Sequence, residues 1–148
     1  MKKVYTWQSN QYTITTNHNV FDLPAIHNYL TQSSWAKGIS FETVSKSISN
    51  SLCFGLFYDH KQIGFARVIT DEATFGYICD VYILENWQQQ KLGQWLMACC
   101  HAHPTISRLR RIMLVTSTAP NFYKKIGYTP INTENFVWQT FRPNIYKE

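Results

Sequence analysis

Three β-rich runs in the middle of the sequence constrain the fold more than any other feature. They are LCFGLFY (52–58), IGFARVIT (63–70) and FGYICDVYIL (75–84), and all three are rich in the residues that favour strands. The connections between them, DHKQ and DEAT, have the length of hairpin loops and are too short for a helical crossover. The runs therefore predict an antiparallel meander of three strands.

Amphipathic helices are predicted on both sides of this meander. Before it, Asp22 is a suitable N-cap and Pro24 falls in the first helical turn, where its missing N–H costs little. A second helix is predicted over 40–50. After the meander, apolar residues recur with the spacing of a helix that buries one face, at Leu92, Trp95, Leu96, Cys99 and Cys100.

The remaining segments complete the predicted order of elements. Residues 5–16 alternate as a strand or hairpin, 111–116 form a short apolar run typical of a buried strand, and FVWQTF (136–141) predicts a final strand. Between the last two, APNFYKKIG predicts a short helix that ends at Gly127. The order β-α-α-β-β-β-α-β-α-β predicts an α/β (α+β) fold with a mixed, mainly antiparallel central sheet flanked by helices.

The composition favours a single domain over residues 1–148. Hydrophobic residues make up 45% of the chain, which is enough for a core at a common domain size. No apolar run approaches the roughly 20 residues of a membrane span, and the N-terminal MKKVYTWQSNQYTITTNH lacks the apolar region of a signal peptide. We therefore expect a cytoplasmic protein with reduced cysteines and no membrane partner.

The segment ENWQQQKLGQWLM (85–97) joins the third meander strand to the next helix. A helix N-terminus presents unpaired N–H groups and a partial positive charge, and a loop that leads into it can surround a phosphate with further amides. Gly93 allows close approach, and Lys91 adds a positive charge. Taken alone, these residues favour an ordinary turn that carries exposed polar side chains, because one glycine is a weak signal.

Several segments resemble the GNAT superfamily of N-acetyltransferases, in its small bacterial-type subgroup. DVYILENWQQQKLGQWLM is similar to the family's strand, (Arg/Gln)-x-x-Gly-x-(Gly/Ala) loop and helix, with Gln88 first, Lys91 in place of the middle glycine and Gly93 last. TSTAPNFYKKIGY (116–128) is similar to the family's Ala-x-x-Leu-Tyr-x-Lys-x-Gly-Phe element, and residues 35–38 match a Trp-Ala-Lys-Gly stretch of the subgroup. The order of elements also agrees from end to end.

The resemblance implies an N-acetyltransferase that moves an acetyl group from acetyl-CoA to a primary amine. The amides at the start of the helix would hold the pyrophosphate, and the arm of acetyl-CoA would lie like a strand beside 80–83, with the Ile83 N–H at the thioester oxygen. The implied acetyl-CoA-binding residues are Val81, Tyr82, Ile83, Gln88, Gln89, Gln90, Lys91, Leu92, Gly93, Gln94, Thr116, Asn121 and Tyr123.

Gln89 and Gln90 replace the usual small or basic residues of the family pattern, and two further departures, Lys91 and Thr116, bear on acetyl-CoA binding. If the loop requires a positive φ at position 91, Lys91 costs about 1 kcal/mol or more relative to glycine. Thr116 stands where many relatives have an asparagine that contacts the acetyl-CoA arm. Both departures concern acetyl-CoA affinity rather than fold.

Tyr123 is predicted as the general acid, because it matches the family's tyrosine near the sulfur. A phenol with a pKa of roughly 10 is a suitable acid for a thiolate of roughly 8.5 when it is well placed. The alternative role for Tyr123 is to pack the short helix against the sheet.

Asp80 is predicted as the general base that takes a proton from the amine. It is the only acid within the last meander strand, and strand alternation predicts that it shares one face with Ile78 and Tyr82. A hydrogen-bonding role, for example with Arg67, is an equally good interpretation, and Glu85 is the second candidate base.

The acceptor is predicted to contact Trp35, Asp71, Asp80 and Tyr82. Trp35 is also suited to pack at the junction of the first two helices, and Asp71 to form a turn. A net charge of +5 does not attract polycations, which favours small or zwitterionic amines. A monomer and a homodimer both stay open.

Other functions are less well supported by the sequence. Cys99 and His103 have metal-ligand spacing, but the cysteine completes an apolar stripe and no second cluster supplies further ligands, so no metal is predicted. The basic RLRR (108–111) suits nucleic acid, yet no nucleic-acid-binding motif accompanies it. Because of Lys91, a catalytically silent GNAT fold that binds acetyl-CoA or a partner protein is the main alternative.

Overall fold

The computed structural model describes residues 2–147, which form one six-stranded sheet with helices on both faces. The strands are β1 (Thr6–Ser9), β2 (Tyr12–Thr15), β3 (Leu52–Tyr58), β4 (Lys61–Thr70), β5 (Phe75–Ile83) and β6 (Arg111–Met113). The α-helices are α1 (Leu23–Gln32), α2 (Phe41–Ser49), α3 (Leu92–Ala102) and α4 (Pro120–Lys125). Within residues 2–147, no helix has the length and apolar character needed to cross a membrane.

The strands lie in the sheet in the same order as in the chain. Neighbouring strands are antiparallel from β1 to β5, and only β5 and β6 are parallel. The predicted meander is formed by β3, β4 and β5, and the predicted N-terminal hairpin by β1 and β2. The mixed, mainly antiparallel sheet flanked by helices is therefore confirmed.

The helices begin where side chains satisfy their first free N–H groups. The Asp22 carboxylate accepts from the N–H of Ala25 at 3.1 Å, and the Ser40 hydroxyl accepts from the N–H of Thr43 at 3.1 Å. The predicted starts of α1 and α2 are therefore correct. The short helix α4 is followed by Gly127 with φ of 104°, as predicted for the position that ends a helix.

Two apolar cores lie on opposite faces of the sheet. One forms between the sheet and α3, with Phe54, Leu56, Val68, Ile78 and Leu96 among its buried residues. The other forms between the sheet and α1 and α2, with Ile26, Val44, Phe65 and Tyr82 among its buried residues. Because β3 and β4 are covered on both faces, they are nearly continuous apolar runs rather than alternating ones.

A β-bulge at Asp80 changes the face on which β5 side chains lie. Arg67 pairs with Cys79 and Phe65 pairs with Tyr82. Between these two pairs β5 has two residues and β4 has one, so the extra residue of the bulge lies in β5. Asp80 takes the left-handed conformation, with φ of 53°. The predicted common face for Ile78, Asp80 and Tyr82 is wrong, because the extra residue leaves Ile78 in the α3 core and Tyr82 in the opposite core.

Strands β5 and β6 run together for only three residues. Arg111–Met113 pair with Phe75–Tyr77, so the predicted strand over 111–116 is shorter than expected. From position 78 onward, no described residue of β6 pairs with β5. The second half of β5 therefore has one edge open, as the family resemblance implied.

The predicted final strand over 136–141 is not formed, and these residues belong to no strand. A local turn interrupts the segment, because Asn135 has φ of 59° and its carbonyl accepts from the Trp138 indole N–H at 2.7 Å. The three-residue β6 also offers only a short edge for pairing. The aromatic pattern of FVWQTF therefore reflects exposed side chains rather than a core strand.

Candidate functional site

The loop between β5 and α3 has alternating backbone conformations. Gln89 and Lys91 are left-handed, with φ of 64° and 62°, whereas Gln90 between them is not. Such alternation is the backbone pattern of concavities that bind anions through successive N–H groups. Position 91 therefore does require a positive φ, and Lys91 carries a cost of about 1 kcal/mol that glycine would not.

The first turn of α3 adds free amides to this concavity. Trp95 is the first residue whose N–H bonds back into the helix, to the Lys91 carbonyl at 3.2 Å, and no side chain caps the helix. Among the described residues, the N–H groups of Leu92, Gly93 and Gln94 have no acceptor. They point along the positive end of the helix dipole, which favours an anion there.

Side chains fix the loop to the sheet. The Gln88 amide donates to the Ile83 carbonyl at 2.8 Å, and the Tyr12 hydroxyl donates to Gln90 Oε1 at 3.2 Å. The Trp87 ring packs against Tyr12, with ring centroids 6.3 Å apart. These contacts support an exposed loop. The two contacts of Tyr12 join segments that are distant in the chain, so no local pattern could indicate them.

The backbone N–H of Ile83 faces the open edge of β5. The Leu84 N–H donates to the carbonyl of Ile63, which lies on the neighbouring strand β4, at 2.8 Å. In an antiparallel pair, adjacent residues point their backbone groups to opposite sides, so the Ile83 N–H points away from β4. No β6 residue pairs there, which leaves a donor directed into the gap between β5 and β6.

Tyr123 lies on α4 and packs against the core between the sheet and α3. Its ring makes edge contacts with Phe122 and Tyr128, at centroid distances of 5.0 and 5.8 Å. Burial raises the pKa of the Tyr123 phenol, so the group stays protonated at neutral pH. Its hydroxyl has no hydrogen-bond partner between residues 2 and 147, whereas the Tyr128 hydroxyl is bonded to His101 at 2.7 Å.

Gly93 lies where α4 packs beside the start of α3. A Cβ atom at this position would lie 3.5 Å from the Phe122 ring, in ordinary contact. Gly93 also has no positive φ. Neither its backbone conformation nor the space around it therefore requires glycine.

Thr116 and Asn121 lie on the segment that leads into and begins α4. The Thr116 hydroxyl accepts from the Ala119 N–H at 3.0 Å and shapes the turn before the helix. Asn121 is exposed in the first turn of α4. Asn121 therefore lies on the same helix as Tyr123, and Thr116 lies in the turn that precedes it.

Asp80 lies in a largely buried polar cluster on the α1 and α2 side of the sheet. Its carboxylate accepts from Arg67 Nε at 2.8 Å and from the Trp35 indole N–H at 3.0 Å. The side chains of Asp80 and Arg67 are only 10% and 15% exposed. Arg67 also donates to the Ser51 hydroxyl at 3.1 Å. The carboxylate is thus already engaged by two donors.

Three aromatic rings lie beside this cluster. Trp35 is 52% exposed, and its ring is 6.3 Å from that of Tyr29. Tyr29 stacks on Tyr82 with centroids 3.8 Å apart and planes 10° apart, and burial raises the pKa of the Tyr82 phenol. Tyr29 was not among the predicted site residues, because its helical spacing indicated only a core position.

Asp71 is not brought into contact with the other predicted acceptor residues. Its carboxylate accepts from the N–H groups of Ala73 and Thr74 and from the Thr74 hydroxyl, at 2.9, 2.7 and 2.6 Å. These hydrogen bonds lower its pKa. Asp71 therefore forms the β4–β5 turn, at the opposite end of β5 from the loop.

The cysteines and histidines near the end of α3 are packing residues. Cys99, Cys100 and His103 are buried, and burial raises the pKa of the Cys99 thiol to about 11. Within residues 2–147, no three metal-ligating side chains lie close enough together to hold an ion.

Glu85, the second candidate base, is exposed in a short 3-10 helix after β5.

Comparisons with known proteins agree with this geometry. Residues 49–130 match the family model described as an acetyltransferase (GNAT) domain. A Gibberella zeae protein, FG08082, named as an inferred acetyltransferase, is 28% identical over 144 residues, which cover 83% of this chain and 81% of that protein.

Two solved structures are also similar. The crystal structure of xcc2953 from Xanthomonas campestris pv. campestris, assigned as a GNAT-family acetyltransferase, is 36% identical, with a TM-score of 0.88 over 100% of this chain and 99% of that one. A predicted acetyltransferase of Clostridium acetobutylicum, solved with acetyl-CoA, is 15% identical and has the same fold, with a TM-score of 0.65 over 87% of this chain and 94% of that one.

Proposed function

Because the chain belongs to the GNAT family of acetyltransferases, we propose that it transfers the acetyl group of acetyl-CoA to the primary amine of a small acceptor. The observation that carries this proposal is the direct connection of two features. The open edge of β5 ends at Ile83, and the anion-binding loop begins five residues later at Gln88. Together they suit a long molecule with an amide-bearing arm at one end and phosphates at the other.

The loop residues fit a pyrophosphate. The left-handed Gln89 and Lys91 turn the amides that follow them inward, and the free N–H groups at the start of α3 continue the same surface. Lys91 adds a positive charge at the exposed rim. We propose that the amides from Gln88 to Gln94 hold the phosphates, while Gln88 fixes the loop through the Ile83 carbonyl.

The open edge of β5 fits the arm. Bound acetyl-CoA supplies a thioester carbonyl for attack by an amine. An extended chain beside 81–83 can pair with the strand's free backbone groups, as peptides pair with sheet edges. The Ile83 N–H then donates to the carbonyl oxygen and stabilises the negative charge that develops on it.

One of the two proton transfers is assigned to a side chain beside this arm. Tyr123 is the proposed acid that protonates the leaving thiolate, since its hydroxyl is protonated and has no partner among residues 2–147. Asp80 is proposed to orient Trp35 and Arg67 on the acceptor side, and the attacking amine is proposed to lose its proton to solvent water rather than to Asp80. Trp35, Tyr29 and Tyr82 would then line the acceptor site, and the turn residue Asp71 would not.

Calorimetric titration with acetyl-CoA tests the proposal, with CoA and ATP as comparison ligands. Binding of acetyl-CoA and CoA but not ATP is expected, because only the first two carry an arm that can pair with β5. Absence of acetyl-CoA binding would contradict the proposed function. Binding without turnover on a broad amine panel would instead favour a catalytically silent acetyl-CoA-binding protein, an alternative that the strained Lys91 supports.

Replacing Lys91 with glycine is expected to stabilise the protein. Glycine takes the left-handed conformation without the cost carried by lysine, about 1 kcal/mol, which corresponds to a rise in Tm of about 2–4 °C. Thermal unfolding followed by circular dichroism measures the change. Lys46→Gly is the matched control, since Lys46 is an exposed position of α2 where glycine should lower Tm. Equal destabilisation in both variants would contradict the strain at Lys91.

Replacing Asp80 with asparagine is expected to raise the KM for the amine about fivefold, the effect of weakening roughly one hydrogen bond. Asparagine tolerates the left-handed backbone and keeps one acceptor for two donors. The dependence of kcat/KM on pH is the decisive readout. An unchanged dependence of kcat/KM on pH is expected if Asp80 only positions other residues. If the variant no longer shows a fall in kcat/KM at acidic pH, Asp80 is the general base.

A further inference from the structure

Trp35 is half exposed although it lies beside a largely buried polar cluster. The residue is 52% exposed, and its indole N–H donates to the Asp80 carboxylate at 3.0 Å. The Asp80 side chain is only 10% exposed, so this hydrogen bond joins a surface ring to a buried charge. A hydrogen bond to an ionised group is stronger than one between neutral groups. The exposed indole ring is therefore held in one orientation.

The aromatic surface continues from Trp35 onto one tyrosine of α1 and one of β5. The ring centroids of Trp35 and Tyr29 are 6.3 Å apart. Tyr29 is half-buried and stacks on the buried Tyr82, with centroids 3.8 Å apart and planes 10° apart. We define these three residues as the aromatic platform. Exposure decreases along it from Trp35 to Tyr82, so the platform leads from solvent to the strand proposed to pair with the acetyl-CoA arm.

The charges beside the aromatic platform are paired within the protein. Asp80 and Arg67 form an ion pair at 2.8 Å, and among residues 2–147 no buried side-chain nitrogen or oxygen lacks a hydrogen-bond partner. This cluster therefore offers no unpaired charge to a second ammonium group or to a carboxylate of the acceptor. The net charge of +5 also disfavours an acceptor with several ammonium groups. What stays available for contact is the surface of the rings.

The aromatic platform lies close to the proposed oxyanion donor. Tyr82 directly precedes Ile83 in β5, and Asp80, which holds Trp35, comes three residues before Ile83. Three strand residues span about 10 Å when fully extended, and the bulge shortens this distance. An acceptor whose body lies on the platform therefore needs only a short chain to bring its amine to a thioester at the Ile83 N–H.

We propose that the acceptor is a monoamine in which a short alkyl chain joins the amine to a flat aromatic ring, and that this ring stacks on the aromatic platform. Aromatic rings pair with one another more favourably than the buried area alone accounts for. Trp35 then determines specificity for the acceptor. This inference rests on the proposed function, because it names the acceptor of the same site.

The acetyl transfer to such an amine is balanced. The amine nitrogen forms a bond to the thioester carbonyl carbon, and the bond between that carbon and the sulfur of acetyl-CoA breaks. The leaving thiolate takes a proton from Tyr123. The amine loses one proton to solvent water, and Tyr123 regains one from the same source.

Steady-state kinetics with matched amines test the proposal. The kcat/KM for phenylethylamine is expected to exceed that for cyclohexylethylamine about threefold or more, because only the flat ring gains aromatic stacking beyond the area that it buries. It is also expected to exceed the kcat/KM for putrescine, whose second ammonium group finds no unpaired charge beside the platform. Equal values for the two ring amines, or a preference for putrescine, would overturn the proposal.

Replacing Trp35 with leucine removes the ring but keeps an apolar side chain. The ratio of kcat/KM for phenylethylamine to that for cyclohexylethylamine is expected to fall to about one, and Trp35→Phe should restore part of it. A purely structural defect would lower both values by the same factor and leave the ratio unchanged, which would contradict the role of Trp35. Trp138→Leu is the matched control, since Trp138 is also exposed and its indole N–H is also hydrogen-bonded.

Direct binding separates the failure of this inference from the failure of the proposed function. Calorimetry with phenylethylamine and cyclohexylethylamine is performed on the wild-type protein and on Trp35→Leu, with and without CoA. Tighter binding of phenylethylamine to the wild type, lost in Trp35→Leu, would support the aromatic platform even if no amine were turned over. Equal or absent binding of the two ring amines would reject this inference, and turnover of aliphatic amines would then still support the proposed function.

Discussion

Replacing Tyr123 with phenylalanine is expected to lower kcat at least about tenfold while leaving the Kd for acetyl-CoA unchanged. The substitution removes the hydroxyl alone, and that hydroxyl has no hydrogen-bond partner among the described residues, so the packing of the ring against Phe122 and Tyr128 is retained. Steady-state kinetics with an accepted amine, combined with calorimetry, separates turnover from binding. Unchanged turnover would exclude Tyr123 as the acid.

The pH profile adds a second readout to this variant. Because burial raises the pKa of Tyr123, the acid is protonated throughout the neutral range, and kcat should fall only at alkaline pH, above the ordinary phenol pKa. That alkaline fall should be absent in Tyr123→Phe. Tyr128→Phe is the matched control, since the Tyr128 hydroxyl is bonded to His101, and its loss should lower stability rather than kcat.

The parts of the fold that were predicted correctly have local causes. Hairpin-length connections specify the meander, and Asp22 and Ser40 cap their helices through residues three positions further along. These signals lie within a few residues of the structure that they determine, so they can be recognised in one sequence. Gly127 after α4 belongs to the same class.

The errors concern structure that depends on distant residues. The bulge at Asp80 is stabilised by Arg67 on another strand and by Trp35 between two helices, so alternation along β5 alone could not reveal it. The strand predicted over 136–141 has good local propensity, but the edge of β6 that it would need is only three residues long. A strand forms only where a partner edge is available.

The candidate site was located through family resemblance rather than through local patterns. Gln88, Lys91 and Gly93 carry the resemblance, but their physical roles differ from one another in the structure. Gln88 bonds to the strand, Lys91 has a left-handed backbone, and Gly93 lies beside Phe122 with room for a Cβ atom. A motif therefore predicts where a loop lies more reliably than what each of its residues does.

Replacing Ile83 with proline is expected to lower kcat about 100-fold or more, the effect of losing one donor to a developing oxyanion. Proline removes the Ile83 N–H, which points away from β4, so no hydrogen bond within the sheet is lost. Proline is tolerated at strand positions whose N–H faces away from the neighbouring strand. Circular dichroism and Tm should therefore stay close to those of the wild type, while turnover falls.

Two control variants separate the effect of losing the Ile83 N–H from the effects of changing the side chain or the sheet. Ile83→Val keeps the N–H and shortens only the side chain, so its kcat should remain near that of the wild type. Leu84→Pro removes an N–H that donates to the Ile63 carbonyl, so it should lower Tm, as loss of a sheet hydrogen bond requires. A folded Ile83→Pro variant with normal turnover would rule out the Ile83 N–H as the oxyanion donor. An equal loss in Ile83→Val would assign the effect to packing, because the two variants differ in whether the backbone donor is present.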